Sequence, residues 1–410
     1  MATVRPFRAL RPPRERAAEV ASVPYDVVST AEARELARGN PWSFLRVSRP
    51  EIDLPVGTDP HVEDVYRKAV ENYERLKRDC PLAPEASPSL YIYRLRMGEH
   101  VQTGVAACCS IDEYDRDVIR KHERTRKDKE DDRTRHMLAL GAQTGPVFLT
   151  YRGRKEIDEI IERAKRDDPL YDFAAPDGVS HTLWRLGAEA AGPLAEQFRA
   201  VPLLYIADGH HRAASASRAR GERRASDPKH TGEEAYNFLL GVLFPAEQLR
   251  ILPYNRVVRD LQGRSAEEFL SLLRQRLPVN EEAPAAPSRR GEVGVYLGGR
   301  WYGLRLERDG RGPAGPTSGL DVSLLQESVL EPLLGIRDVR TDKRIDFVGG
   351  IRGTRELERL VDSGEAAVAF SLYPVSLDEL MSIADTNEIM PPKSTWFEPK
   401  LRDGLLVHEI

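Results

Sequence analysis

The sequence predicts a mixed α/β protein, in which strands and helices alternate without a strict repeat. Apolar runs typical of strands are separated by stretches whose apolar residues recur at helical spacing. Two neighbouring strand-like runs, around Leu90 to Met97 and Val101 to Ile111, flank the turn Gly98-Glu99-His100 and indicate a hairpin. Because a hairpin is antiparallel, we expect a mixed sheet rather than a doubly wound parallel one.

Residues 1–245 are expected to form the first domain around this sheet. Ser29 and Glu32 have capping-box spacing, so a helix should begin there and end at Gly39-Asn40-Pro41. The later elements follow from apolar periodicity. They are a strand at Ser43 to Val47, a helix carrying Val65, Tyr66, Ala69, Val70, Tyr73 and Leu76, the strand PVFLTY, a helix near Ile157 to Lys165, and strands at Ser180 to Leu186 and Val201 to Ala207.

A second, smaller α/β domain is expected over residues 246–380, after the polar, turn-rich and linker-like stretch Gly221 to Glu234. Its elements are a helix at Ala266 to Leu277, the hairpin EVGVYLGGRWYGLRLE, the apolar helix VSLLQESVLEPLLGI and the strand AAVAFSLYPV. The end of the chain is expected to be a separate segment, residues 381–410, whose stretch NEIMPPKSTWFEPKLRDGLLVHEI contains too much proline for a helix and too many aromatic residues for a disordered tail. We therefore expect a C-terminal strap that folds back on the site.

Composition restricts the function classes. The 410 residues carry 61 Lys and Arg against 65 Asp and Glu, a net charge of −4, which argues against a nucleic-acid partner. The N-terminus has no apolar signal region, and no apolar run approaches 18 residues, so neither a secretory leader nor a membrane anchor is expected. Three cysteines give no disulfide framework, which fits the reducing cytoplasm.

The stretch YIADGHHR carries the strongest chemical signal. It places Asp208, Gly209, His210, His211 and Arg212 between an apolar strand and a helix rich in Ala and Ser. A helix N-terminus after a glycine turn offers N–H groups and a positive dipole end to an anion. The arginine could bind phosphate, the histidines could move protons, and the aspartate could act as a general base or a metal ligand. The alternative is a helix cap beside solvated side chains.

Two further polar stretches are candidates for the same site. KHERTRKDKEDDR, Lys121 to Arg133, mixes both charge signs with a histidine, although most such runs are solvated, salt-bridged surface. MPPKSTWFEPK, Met390 to Lys400, contains Lys393-Ser394-Thr395, which has the residue types of a phosphate loop without its glycines. The alternative there is a strap whose aromatic residues dock on the core.

Five motifs in order resemble those of the bacterial "domain of unknown function 1015" family. They are PFRALRPPRERAAEVASVPYDVVS, GNPWSFLRVSRPEIDLP, KHERT…KEDDR, YIADGHHR and MPPKSTWFEPK, and they span nearly the whole chain. The Asp-Gly-His-His-Arg core also resembles the phosphate-binding motif of the ParB/sulfiredoxin-like fold, especially that of archaeal free-serine kinases. The resemblance implies this fold for the first domain, with its mixed sheet.

The resemblance also implies roles for single residues. Asp208 would be the catalytic acid/base and a Mg²⁺ ligand, with His210 beside it, and the second acid would be Glu123 or, less strongly, Asp26. The remaining roles follow from the same comparison and from the flanking motifs. Nucleotide phosphates would be bound by Gly209, His210, His211, Arg212, Lys393, Ser394 and Thr395, and the substrate by Asp26, His122 and Lys400.

The function that the sequence favours is a Mg²⁺-dependent kinase that transfers phosphate from ATP or ADP to a hydroxyl of serine or a serine-like metabolite. Phosphoryl transfer needs cations, N–H donors, a metal and a carboxylate that orients the nucleophile. The alternatives are a phosphatase or nucleotide hydrolase and a non-enzymatic, nucleotide-responsive ParB-like protein. The partners would be a nucleotide and a small molecule, and the oligomeric state, including a homo-oligomer, stays open.

Overall fold

The structure is a computed structural model, and it describes residues 1–306 and 315–410. Strands and helices are numbered in chain order. The strands are β1 (Val4–Arg5), β2 (Leu10–Arg11), β3 (Ala83–Pro84), β4 (Leu90–Met97), β5 (His100–Ser110), β6 (Ile119–Arg120), β7 (Ala142–Gln143), β8 (Val147–Tyr151), β9 (Tyr171–Ala174), β10 (Ser180–Leu186), β11 (Leu204–Asp208), β12 (Phe238–Pro245), β13 (Arg250–Leu252), β14 (Tyr254–Val258), β15 (Val279–Asn280), β16 (Glu292–Leu297), β17 (Arg300–Arg305), β18 (Ile345–Gly349), β19 (Val368–Leu372), β20 (Trp396–Glu398) and β21 (His408–Glu409).

The α-helices are α1 (Ala17–Val20), α2 (Thr30–Leu36), α3 (Leu45–Ser48), α4 (Glu63–Asp79), α5 (Ile111–Asp115), α6 (Lys127–Leu140), α7 (Lys155–Ala164), α8 (Ala188–Phe198), α9 (His210–Ser226), α10 (Ala266–Arg276), α11 (Asp321–Leu325), α12 (Glu331–Leu334), α13 (Gly353–Asp362) and α14 (Leu377–Asp385). A π-helical turn, Gln326–Leu330, joins α11 to α12. Over the described residues, no helix combines the length and apolarity needed to cross a membrane.

The chain divides into two compact units. Unit 1 comprises Met1–Lys121, Thr125–Leu249 and Pro399–Ile410, and unit 2 comprises His122–Arg124 and Arg250–Glu398. Both units contain helices and strands, so the mixed α/β class predicted from the sequence is confirmed.

Unit 1 is built on a mixed sheet with the order β6-β11-β8-β12-β5-β4-β10-β9, and β1 pairs with β5. The β4–β5 hairpin is antiparallel, as predicted, whereas β11 runs parallel to β6, and β12 runs parallel to β8. The strands at the centre are apolar on both faces, and β8 is buried along its whole length. Helices therefore cover the sheet, and α9 packs against it through buried Ala213, Ala216 and Ala219.

Unit 2 has its own sheet, with the order β15-β17-β16-β19-β14-β18 and antiparallel pairing throughout the described strands. A small core forms where α13 and the sheet meet, around buried Leu357, Val257 and Ala369. The strand β20 pairs with β13 beside it. The last residue of the predicted hairpin EVGVYLGGRWYGLRLE, Glu307, lies outside the described residues.

Two local predictions were wrong. Ser43 to Val47 was expected to be a strand, but Leu45–Ser48 forms the short helix α3. The five residues SFLRV are too few to show a period, so their pattern does not distinguish a strand from a helical turn. The polar stretch from Gly221 was expected to be linker-like, but α9 continues to Ser226. Its Arg-rich surface is compatible with a helix, and one glycine costs a long helix only about 1 kcal/mol.

Candidate functional site

The turn from β11 into α9 holds the motif residues in a defined geometry. The pairing of β11 with β8 shifts register between Ile206 and Asp208, and such a bulge changes the direction in which the next side chain points. Gly209 then adopts φ +94°, the left-handed conformation, and forms the N-terminal cap of α9. A Cβ there would also meet Val147 Cα at 3.4 Å. The predicted strand–glycine–helix arrangement is therefore present, with Asp208 beside the helix N-terminus.

Replacing Gly209 with Ala should destabilise unit 1 by about 1–2 kcal/mol, because an L-residue is strained in the left-handed conformation. Gly221→Ala is the matched control, since it lies within the same helix and a Cβ there meets nothing within 4 Å. This control should be neutral or more stable by about 0.5–1 kcal/mol. Native-state hydrogen exchange on peptides from β11 and α9 measures both changes. If the two substitutions changed the stability equally, an alanine at position 209 would not be strained, and the prediction would be wrong.

Asp208 and Lys400 form an ion pair at this turn. The Nζ of Lys400 lies 2.7 Å from Oδ2 of Asp208, and the backbone N–H of Gly209 donates to Oδ1 at 2.8 Å. The carboxylate is 29% exposed and the lysine side chain is 12% exposed, so the pair is reachable by a ligand while remaining ordered. The segment that carries Lys400 is fixed to the sheet, because Nε2 of Gln102 donates to the carbonyl of Pro399 at 3.3 Å.

Arg212 points into the protein and not toward solvent. Its Nη1 donates to the carbonyl of Pro146 at 2.9 Å, and its Nη2 lies 3.1 Å from Oδ1 of Asp26. Burial alone would lower the pKa of this guanidinium, but the carboxylates of Asp26, Asp403 and Asp208 raise it above its usual value. The arginine is therefore a fixed positive charge that joins three segments distant in the sequence.

Asp403 completes this buried cluster. It is 1% exposed, and its Oδ1 makes no hydrogen bond to any described residue. Burial raises the pKa of Asp403 to about 7, although Arg212 acts in the opposite direction. Its backbone forms a bridge with Ser22, with N···O distances of 2.9 and 3.1 Å. Asp403 thus holds a protonatable oxygen inside the unit, next to the fixed charge of Arg212.

A small cavity of about 30 Å³ lies beside these side chains. Its polar lining includes Tyr25, Arg133, His136, Arg212 and Asp403. The guanidinium of Arg133 lies over the Tyr25 ring at 4.4 Å, and that of Arg212 lies 5.6 Å from the same ring. Such a volume accommodates about one water molecule and not a nucleotide. The cavity therefore lies among side chains that support the site. A nucleotide would have to bind outside it, next to Asp208.

Asp403 should make unit 1 less stable as the pH rises. A carboxyl group whose pKa is raised in the folded state binds more protons there than in the unfolded chain, so stability falls between about pH 4 and pH 7. The slope reaches at most about 1.4 kcal/mol per pH unit. The test is the free energy of unfolding in urea, measured for the protein and for Asp403→Asn between pH 4.5 and 8. Subtracting the two values at each pH removes the contributions of the buried histidines, because both proteins contain them. A difference that does not change with pH would contradict this assignment.

The two histidines of the motif are not equivalent. His210 is buried, with 6% of its surface exposed, whereas His211 is half-buried. The Nε2 of His211 accepts a hydrogen bond from the backbone N–H of Arg126 at 3.1 Å. A nitrogen that accepts is unprotonated, so this bond places any ring proton of a neutral His211 on Nδ1. His211 therefore connects the start of α6 to the start of α9.

The remaining predicted residues belong to unit 2. His122 and Glu123 lie in the short segment His122–Arg124, and the N–H of Met390 donates to the His122 carbonyl at 2.8 Å. Lys393 has φ +57°, and its Nζ lies 5.4 Å from the centre of the Tyr254 ring. The last two predicted residues lie next to it. Ser394 is buried and its Oγ donates to the Pro391 carbonyl at 2.6 Å, and Thr395 directly precedes β20.

Unit 1 therefore brings together Asp208, Gly209, His210, His211, Arg212, Asp26 and Lys400. The sequence reasoning missed Asp403, Arg133 and Tyr25. Arg133 and Tyr25 lie inside two of the family motifs, but the sequence gives no sign of their contact. A guanidinium over an aromatic ring requires no particular spacing between the two residues in the sequence. Asp403 follows a recognised motif by three residues, and its burial depends on a contact with Ser22 that is distant in the sequence.

A magnesium ion does not fit Asp208 in this arrangement. One carboxylate oxygen accepts from Gly209 N, and the other is paired with the Lys400 ammonium at 2.7 Å. Mg²⁺ requires near-octahedral oxygen ligands at about 2.0–2.1 Å, and a cation already occupies this side of the carboxylate. Lys400 is therefore the cation in contact with Asp208 in this arrangement.

The family model described as "Protein of unknown function (DUF1015)" matches residues 4–323. The chain belongs to this family. The match covers more than three quarters of the chain and includes the motifs from the N-terminus to the DGHHR turn. The DUF1015 resemblance predicted from the sequence is thus confirmed. No curated protein matches this DUF1015 chain.

Among solved structures, the chain is similar to three proteins at low identity. "Free serine kinase in complex with AMP" is 14% identical, with 73% of this chain and 91% of that chain covered and a TM-score of 0.36. A conserved hypothetical protein from Pyrococcus furiosus is 13% identical, with 74% and 94% covered and a TM-score of 0.36. SbnI from Staphylococcus aureus, truncated at its C-terminus, is 13% identical, with 73% and 85% covered and a TM-score of 0.37. At these values activity does not follow from likeness, so the function has to follow from the side chains of the site.

Proposed function

We propose that this DUF1015 protein is a phosphotransferase that binds a nucleotide at the β11–α9 turn and transfers a phosphoryl group to a hydroxyl. The acceptor would be serine or a serine-like metabolite. The observation that carries the proposal is the Asp208–Lys400 pair, a carboxylate and an ammonium 2.7 Å apart beside a helix N-terminus. Phosphoryl transfer requires a base for the acceptor hydroxyl, and cations and N–H donors that hold the phosphates in position.

The phosphates would be bound by the start of α9 and by Lys400. The first N–H groups of a helix have no carbonyl one turn earlier to bind, and they point along the axis with the positive end of the dipole. Gly209, which holds the left-handed conformation at this turn, has no side chain that could obstruct a phosphate. Lys400 has three N–H donors, so it can keep its contact with Asp208 and donate to a phosphate oxygen as well.

Asp208 would orient the acceptor and take its proton. The hydroxyl oxygen attacks the terminal phosphorus, the bond from that phosphorus to the bridging oxygen breaks, and the hydroxyl proton passes to the Asp208 carboxylate. Arg212 would act as a positioning residue, because its side chain is 9% exposed and bound to Asp26. The roles proposed for Glu123, His210, Lys393, Ser394 and Thr395 remain predictions.

The experiment is a turnover assay on the full chain with ATP or ADP as donor, with and without Mg²⁺, beside a binding titration with AMP. Each nucleotide is offered with a panel of hydroxyl metabolites that includes serine, and without an acceptor. AMP and ADP are the first choices for binding, because solved structures of free serine kinase contain them. Acceptor-dependent formation of a phosphorylated product is the expected result.

Two other results would overturn the kinase proposal and identify an alternative. Release of inorganic phosphate at the same rate with and without acceptor would indicate the hydrolase. Tight nucleotide binding with no turnover on any acceptor would indicate a nucleotide-responsive binding protein. Absence of nucleotide binding under all conditions would remove the proposal altogether.

A further inference from the structure

Unit 2 contains a larger pocket than the one beside Arg212. Its volume is about 740 Å³, within the range of small-molecule sites. It is formed by α11 and the π-helical turn, the loop at residues 337–340 and the segment at residues 387–392. The segment that carries Arg124 also lines it, and this segment is fixed by the hydrogen bond from Met390 N to the His122 carbonyl.

Arg256 is the buried charge of this pocket. It lies in β14 and is 2% exposed, its Nη1 donates to the Tyr254 carbonyl, and its guanidinium lies over the Phe347 ring at 5.4 Å. Among residues 1–306 and 315–410, no carboxylate forms an ion pair with the Arg256 guanidinium. Burial lowers the pKa of Arg256 to about 10, so the group is still charged at neutral pH.

A buried charge is costly unless it is paired or hydrogen-bonded. Arg256 has five N–H donors, and the contact with Tyr254 uses one nitrogen. The residue lines the pocket, so a ligand in the pocket could meet the unused donors.

The charged residues around Arg256 favour an anion. Two more arginines of the lining, Arg124 and Arg337, are exposed and make no ion pair with a described residue. Arg340 is neutralised by Asp338 at 3.0 Å. Of the two remaining lining acids, Glu388 accepts hydrogen bonds from Thr317, and Glu327 is exposed. The lining thus carries four arginines against three acids, and the one buried arginine, Arg256, is not among those paired with an acid.

We propose that this pocket binds a small oxyanion, the phosphate or carboxylate group of a metabolite, with Arg256 as the buried anchor and Arg124 and Arg337 at the rim. An arginine fork can bind two oxygens of such a group at once. The site is separate from the phosphotransfer proposed for unit 1. A variant that removes the function of Asp208 should leave this binding unchanged.

The test is binding of inorganic phosphate and of malonate to the full chain, followed by hydrogen-exchange mass spectrometry. In the unsubstituted protein, at least one of the two anions should slow exchange in peptides covering residues 337–340 and 387–392. Which anion does so distinguishes a phosphate ligand from a carboxylate ligand. In Arg256→Met, that protection should be lost and the Kd raised at least tenfold.

Arg276→Met is the matched control, since Arg276 is an exposed arginine of α10 outside the pocket. It should bind like the unsubstituted protein. Arg256→Met should have the same or a higher Tm without ligand, because an unpaired buried charge has been removed. If that variant does not fold, Arg337→Gln on the rim should still weaken binding several-fold. Absence of protection by either anion, or equal binding by Arg256→Met, would overturn the proposal.

Discussion

Asp208→Asn is expected to reduce kcat for phosphoryl transfer by about 10²–10⁴, the usual contribution of a positioned acid or base. The substitution keeps the size of the side chain and its hydrogen bond with Gly209 N, but it removes the negative charge that faces Lys400. Nucleotide affinity should change little or rise, because the Lys400 ammonium no longer faces a carboxylate that competes with phosphate. Initial rates and calorimetric titration with the same nucleotide separate the two effects.

Asp168→Asn is the control for this experiment, because Asp168 is an exposed aspartate of the same unit outside the turn. It should retain the kcat and the affinity of the unsubstituted protein. A loss of nucleotide affinity in Asp208→Asn with kcat unchanged would mean that Asp208 is only part of the binding site. That result would contradict its role as the base.

Arg212→Met is expected to destabilise unit 1 by about 1–3 kcal/mol, the usual cost of removing one partner of a buried hydrogen bond, since Asp26 in the ion pair is 35% exposed. The substitution leaves Asp26 without its cation at 3.1 Å and deprives the Pro146 carbonyl of its donor. It also leaves Asp403 buried beside uncompensated negative charge, which further favours the protonated form of that carboxyl group. Native-state hydrogen exchange on peptides from β11 and α9 measures the loss.

The double variant Arg212→Met with Asp403→Asn tests the cause of this loss. At pH 8 the second substitution should restore part of the stability, because in Arg212→Met alone Asp403 must either bury its charge or bind a proton, so the two effects are not additive. If the two substitutions simply add, the charges act independently and Asp403 is not part of the cluster. A change below about 1 kcal/mol for Arg212→Met alone would show that the arginine is not a structural charge.

Local sequence patterns were enough to predict the fold class and the turn at the centre of the site. Apolar runs give strands their position, and a glycine between a strand and a helix, such as Gly209, is by itself an indication of a left-handed turn. Position alone does not tell which way a side chain points. Arg212 has the residue type of a phosphate ligand, yet it is directed inward to Asp26. That direction depends on the β-bulge before Asp208 and on packing across the sheet.

Residues brought in by the C-terminal segment could not be assigned from the sequence. Lys400 was expected to bind substrate, and its contact with Asp208 joins positions 192 residues apart. Asp403 had no motif to identify it, and its raised pKa exists only because the folded chain removes it from water. Such properties depend on tertiary contacts between distant segments, which no window of neighbouring residues contains.

The division of unit 1 also has a consequence for synthesis on the ribosome. Its first two segments end at Leu249, and its last segment begins at Pro399. At about 5–20 residues per second, the intervening 149 residues take roughly 8–30 seconds to translate. During that interval the nascent unit lacks the Lys400 ammonium for Asp208 and the β21 strand that pairs with β7. The site is therefore completed only after residues 250–398 of unit 2 have been translated.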